Sequence, residues 1–162
     1  MRQHAESIES RLAALEDTEA IRNLIAFYGP LADSGQADAV AMLWEPDGIY
    51  AIAGIGEAKG RKAIADLITG PQHQSLMNAG CAHLLGPVAV SLSGTDAEAW
   101  GHSVVVRKDG GGFVIERASA NHWVLRRSET GWRVVRRDNA VLNGDPSAFQ
   151  LFSGAVFPLP RK

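Results

Sequence analysis

The sequence predicts an α+β domain, with helices first and an antiparallel sheet after. Three observations carry that reading. Apolar residues between Ile8 and Tyr28 recur at helical spacing, and four long extended stretches beyond Cys81 are separated by short turn-forming segments. The 162 residues are 46% hydrophobic, which suits one packed core rather than two, so 1–162 is read as a single domain.

Ile8, Leu12, Leu15, Ile21, Leu24, Ile25 and Tyr28 predict a short lead-in helix and a longer one, divided near Asp17 and Glu19. The second should stop or bend at Gly29-Pro30, because proline lacks a donor and its ring clashes with the preceding turn. Gln36 to Trp44 predicts another short helix. Glu45-Pro46-Asp47-Gly48 is turn chemistry, and Ile49 to Ile52 has strand character. Gly60 to Ile68 returns to helix, ended by Gly70-Pro71, with a polar loop through Gly80. The strands are expected at Ala82 to Leu92, Ala97 to Lys108, Phe113 to Arg127 and Trp132 to Leu142, joined as hairpins, with the helices covering one face. After Asn143-Gly144-Asp145-Pro146, the tail containing Phe149, Leu151, Phe152, Val156, Phe157 and Leu159 is too apolar to be left in water. It should pack on its own domain or on a neighbour.

A formal charge of −2 offers no basic excess to neutralise phosphates, which argues against nucleic acid or an anionic membrane as partner. The expected partner is small and mostly uncharged. Cys81 is the only cysteine, so neither an intramolecular disulfide nor a cysteine-based zinc site is available. Met1 to Glu9 has charged residues and no apolar run behind it, so no signal peptide or membrane span is expected, and the cytoplasm is the default location. Gly54-Ile55-Gly56-Glu57-Ala58-Lys59-Gly60 lacks the spacing of a dinucleotide loop, and there is no nucleophile elbow or paired-histidine metal motif. The expectation is therefore chemistry without metal or cofactor.

Ionisable groups in apolar surroundings remain. Asp33 either caps the Gln36 helix or points inward, and His83, opening an apolar strand, is either a core histidine or a base. Strand alternation places Ser119, Asn121, Trp123 and Leu125 on one face and Ala118, Ala120, His122 and Val124 on the other. Asn121 beside Trp123 reads as a polar anchor in an aromatic pocket. Arg137 and Asn139 project together, opposite Arg136 and Asp138, while His102 reaches a cavity or is exposed. Tyr28 and Tyr50, each expected at the end of an element, suit half-buried phenols aimed at a ligand.

Leu15-Glu16-Asp17 through Ala20-Ile21, Tyr28 with Asp33, and Trp44 through Asp47-Gly48 into a strand together resemble the SnoaL-like branch of the NTF2-like, cystatin-like superfamily, from Ile8 to about Leu142. The resemblance implies a cone of curved, mostly antiparallel sheet packed over N-terminal helices around a deep pocket. Tyr28, Asp33, Tyr50, His83 and Ser119-Ala120-Asn121 are similar to the pattern of scytalone dehydratase-like proteins. Asp33, His83 and Arg137, with the stretch Ala53 to Gly60, resemble hexachlorocyclohexane dehydrochlorinase-like proteins, and Tyr28, Asp33 and His83 resemble bile-acid 7α-dehydratase-like ones. The chain departs from the dehydrochlorinase pattern in carrying Tyr28 where that group has lysine, and His102 is out of register with the second pocket histidine of scytalone dehydratase.

What the resemblance implies is a cofactor-independent lyase acting on a small apolar, oxygenated or halogenated ring compound. Asp33 would orient His83 as general base, Tyr28 would assist, and Tyr50, His102, Ser119, Asn121, Trp123 and Arg137 would bind the substrate. The alternatives are a non-catalytic ligand-binding or assembly domain, and a ketosteroid isomerase or polyketide cyclase in which an aspartate alone moves the proton. A homo-oligomer, dimer or trimer, is also expected.

Overall fold

The computed structural model describes residues 7–155. Helix α1 runs unbroken over Ile8–Asp33, capped by the Ser7 side chain, which accepts from the Ser10 N–H. The expected division at Asp17 is absent because Asp17 is engaged elsewhere. Its carboxylate accepts from Trp132 Nε1 at 3.0 Å and pairs with Arg127, pinning the helix to the far end of the sheet. Pro30 lies inside α1 instead of ending it. It sits on the exposed side, where the Ala26 carbonyl it leaves without an amide donor faces water. The helix closes at Ser34, whose N–H and hydroxyl both donate to the Pro30 carbonyl, and Gly35 turns the chain at positive φ.

The third predicted helix contracts to α2, Ala37–Ala41, because Trp44 already begins strand β1, Trp44–Ile52. The expected turn at Glu45 to Gly48 appears as an irregularity inside that strand, between Trp44 and Ile49. A short strand missed in the sequence, β2 (Gly56–Lys59), pairs back on β1. Helix α3, Gly60–Thr69, agrees with expectation, but the anticipated polar loop is a further helix, α4, Pro71–Ala79. Proline at its first position needs no donor there, and Gly80 at positive φ ends it.

Strands β3 (Cys81–Ser93), β4 (Asp96–Asp109), β5 (Gly112–Ser128) and β6 (Gly131–Val141) form the predicted antiparallel meander. The six strands lie in the order β2-β1-β6-β5-β4-β3, and β1 joins β6 in parallel, the one departure from antiparallel pairing. The main core lies between the helices and one sheet face and includes Ile21, Ile25, Val40, Trp44, Ile64, Ile68, Trp123, Leu125 and Val134.

A last helix, α5 (Pro146–Ser153), is capped by Asp145 and packs on the opposite face, where Ala148 meets Ala120 and Ala140. Helices therefore cover both faces, not one. This accounts for Leu151 and Phe152 of the apolar tail; Phe149 instead is 61% exposed, while Val156, Phe157 and Leu159 lie outside the described residues. No helix among the described residues is long and apolar enough to cross a membrane.

Candidate active site

The site begins with a close approach of helix to strand. Ile21, Ile25, Tyr28, Gly29 and Ala32 form the buried stripe of α1. Gly29 lets that stripe lie directly on β3, since a Cβ there would come closer than 3.0 Å to the His83 carbonyl oxygen. One turn later Asp33 arrives beside His83. The imidazole Nδ1–H donates to Asp33 Oδ1 at 2.6 Å, and the His83 backbone N–H donates to Oδ2 at 2.8 Å. The Cys81 thiol donates more weakly to Oδ1 at 3.6 Å. Asp33 is thus fixed at both oxygens by His83, and the N-cap alternative gives way, because α2 has no side-chain cap.

This geometry fixes the His83 tautomer. Nδ1 carries the proton, so Nε2 keeps its lone pair, and Nε2 makes no hydrogen bond among the described residues. His83 is only 8% exposed, and burial lowers its proton affinity below the ordinary 6.5. Asp33 opposes that shift, while His73 and Arg117 reinforce it. The imidazole is therefore neutral near pH 7, with Nε2 able to accept a proton.

His83 lines a cavity of about 130 Å³ with Tyr28, Tyr50, His73, Arg117, Asn139 and apolar residues including Ile52, Ile68 and Leu76. Adjoining it is a niche of about 10 Å³ bounded by Tyr28, Tyr50, His83, Ser103, Arg137 and Asn139. Tyr28 meets Tyr50 edge-on, with ring centres 6.3 Å apart, and meets His83 in the same manner at 6.4 Å. Burial, reinforced by Tyr50 and opposed by Arg137, pushes the Tyr28 hydroxyl above the usual phenol range. It therefore stays protonated and can donate.

Arg137 is 2% exposed and lies within an aromatic cage, its guanidinium carbon 4.4 Å from the Tyr28 ring centre, 4.6 Å from Tyr50 and 4.3 Å from Trp123. Nε and Nη2 both donate to Asn121 Oδ1, which also accepts from Asn139 Nδ2. Nη1 is buried with no partner. Asn121 in turn donates to Ser103 Oγ at 2.9 Å.

Strand alternation thus sets Asn121, Trp123, Arg137 and Asn139 together on the helix-covered face. Ser119, Asn121 and Trp123 do not line the cavity; Asn121 and Trp123 support Arg137 from behind. His102 lies outside the site altogether. It is exposed on the other sheet face, its ring 4.8 Å from Phe152 of α5, because Gly101 and Ser103, not residue 102, share the parity of the cavity wall.

Two ionisable lining residues escaped the sequence reading. His73 belongs to the helix taken for a loop; its Nε2–H donates to the Ala32 carbonyl at 2.9 Å, and its ring lies 5.2 Å from that of His83. Arg117 shares strand parity with Ser119 and Asn121, a signal that extending the alternation by one more pair would have caught.

Asp33, Cys81 and His83 also bring three donor atoms within 4.8 Å of one another. A cation there would have to displace the hydrogen bonds that hold His83. The thiol is not a nucleophile in waiting, since burial and the Asp33 charge raise its pKa.

The family profile of the SnoaL-like domain matches residues 13–138. The chain belongs to the SnoaL-like domain family. An NTF2-like protein with a cystatin-like fold from Novosphingobium aromaticivorans is 52% identical, with a TM-score of 0.88 over 91% of this chain and 98% of that one. The NTF2-like, cystatin-like architecture expected from the sequence is therefore the fold of this SnoaL-like chain.

Two further structures from N. aromaticivorans share the fold at lower identity. One, provisionally named an aromatic ring hydroxylase, is 23% identical, with a TM-score of 0.67 over 79% of this chain and 90% of that one. The other, provisionally named a scytalone dehydratase, is 17% identical, with a TM-score of 0.67 over 81% and 87%. No curated protein matches the sequence.

Proposed function

We propose that this SnoaL-like chain is a cofactor-independent lyase that carries out β-elimination on a compact cyclic substrate. The observation that carries the reading is the 2.6 Å contact between Asp33 and His83 Nδ1, which leaves Nε2 as the free nitrogen of a residue in the cavity wall. Nε2 takes a proton from a carbon adjacent to the one bearing the leaving group. The C–H electron pair becomes the new double bond, and the leaving group departs with the electrons of its own bond. Asp33 stabilises the imidazolium that forms, which then returns the proton to the departing group or to water.

The adjoining niche suits the leaving group. At about 10 Å³ it is near the smallest space that holds a water-sized atom, and it is bounded by the protonated Tyr28 and by Arg137 with its unused Nη1. Donors at that point favour the developing negative charge more than the ground state, which is what accelerates a reaction.

The test is a panel of cyclic β-hydroxy ketones and β-halo rings, followed by the appearance of the alkene. His83→Ala and Asp33→Asn are each expected to lower turnover on the order of 10² to 10⁴-fold while circular dichroism stays native. Near-normal elimination by either variant would overturn the proposal.

A further inference from the structure

Arg117 has no role in the elimination just described, yet its position is unusual for an arginine. It borders both the cavity and the niche, lies half-buried on β5, and makes no hydrogen bond or ion pair among the described residues. Nearby acids are committed elsewhere. Glu116, its chain neighbour, pairs with Arg107 at 2.8 Å, and Asp33 is held at both oxygens by His83. No aspartate or glutamate is among the residues lining either space. The wall therefore presents Arg117 and the buried Arg137 without a counter-ion, a distribution that favours a negatively charged guest.

Size narrows the guest further. The cavity holds about 130 Å³, and an enclosed apolar cavity of about 150 Å³ accommodates one benzene ring. Ile52, Ile55, Leu67, Ile68, Leu76 and Val141 supply the apolar part of this wall.

We propose that the cavity takes a single-ring organic acid, with its ring among these apolar side chains and its carboxylate held by the Arg117 guanidinium. A planar fork of N–H donors matches a carboxylate in a bidentate manner, which a lone ammonium would not. The proposal deepens the lyase reading by naming its substrate class, and it rests on that reading only in placing substrate in this cavity. It also departs from the mostly uncharged partner that the overall charge suggested, because the net charge of −2 averages over a wall that is locally positive.

The probes are benzoate and benzamide, which share ring and shape and differ in charge, with binding read by calorimetry on the full chain. Benzoate is expected to bind at least about tenfold more tightly than benzamide at low salt, a ratio that shrinks as salt rises. Arg117→Gln should bring the ratio to about one by weakening benzoate alone, and Arg117→Lys should restore part of it. Equal binding of the two probes, no binding of benzoate, or a ratio unmoved by Arg117→Gln would overturn the proposal, and the first two outcomes need no variant to fold. Binding is read without turnover, so the two readings fail separately. A chain that prefers benzoate but eliminates nothing would sink the lyase reading alone, and one that eliminates but ignores the charge would sink only this proposal.

Discussion

Gly29→Ala tests whether the site depends on the close approach of α1 to β3. The added methyl would lie closer than 3.0 Å to the His83 carbonyl oxygen, where ordinary contacts run from 3.4 to 4 Å. Relief requires helix and strand to separate by about 1 Å, because the clash is with backbone and no side chain can rotate away. Asp33 lies four residues on, along the same helix face, so the same displacement would stretch its 2.6 Å bond to His83 beyond hydrogen-bonding range.

Overpacking costs about 1–3 kcal/mol, and loss of the charge-assisted bonds costs about 1.5–3 kcal/mol more. The better helix propensity of alanine offsets about 1 kcal/mol, leaving a net loss of about 1.5–5 kcal/mol. At about 2–4 °C per kcal/mol for a domain of this size, the melting temperature should fall by about 3–20 °C. Urea denaturation measures the stability, and nitrogen-15 NMR of the imidazole reports whether Nδ1–H is still bonded to a carboxylate. A variant with wild-type stability and an unchanged His83 Nδ1–H signal would refute the geometric reasoning.

The remaining predictions probe neighbouring groups. Tyr28→Phe should lower kcat on the order of 10² to 10³-fold with a smaller change in KM, because the hydroxyl acts as a donor to developing charge; a raised KM with kcat unchanged would mark it as a binding residue only. Turnover should rise with pH through a midpoint below 6.5, the ordinary histidine value, since burial lowers the His83 pKa; a midpoint above 6.5 would contradict the assignment. Stability should follow the same sign. Between the lowered folded value and 6.5 the unfolded chain binds more protons at His83, so acid titration through that window destabilises the fold, and denaturant midpoints at stepped pH would show it. Cys81 should alkylate slowly with iodoacetamide at pH 7.5, and Asp33→Asn should speed the reaction severalfold, because the carboxylate helps keep the thiol protonated.

The part of this fold legible in the sequence is the part governed by local rules. The four long strands end within about a residue of their expected limits, because Ser93-Gly94-Thr95-Asp96, Asp109 to Gly112 and Ser128 to Gly131 fix the turns through backbone chemistry alone. Alternation then sets Asn121 with Trp123 along β5 and Arg137 with Asn139 along β6, and the register that pairs Asn121 with Asn139 and Trp123 with Arg137 brings the two sets onto one face. The misreadings arise where tertiary contacts override local preference. Asp17 looked like a helix break until Arg127 and Trp132, more than a hundred residues away, claimed its side chain. Pro30 looked like a stop, but only a solvent-facing carbonyl loses its donor there. Helix α4 was the more avoidable miss, since proline at its first position and glycine at its end were both visible. His73 went unseen with it. His102 differs again, because a one-residue shift in parity separates cavity wall from outer face, and nothing local to Gly101-His102-Ser103 says which face the helices will cover.

The arrangement around His83 sets two requirements against each other. A base must be free of its proton at working pH, which burial, His73 and Arg117 promote, and yet it must bind a proton strongly once the substrate offers one. Asp33 reconciles them because its hydrogen bond strengthens when the imidazole becomes charged, so its help is concentrated in the transition state. Arg117 in the wall would by itself make His83 a poorer base. In the proposed elimination the wall arginines become an advantage when the substrate brings a negative charge or develops one on its leaving group, since they would then raise the acidity of the C–H bond offered to His83. On this argument the guanidinium groups without a counter-ion and the carboxylate-backed imidazole form one device, and in the proposed elimination neither half would be worth its cost in stability if the other were absent.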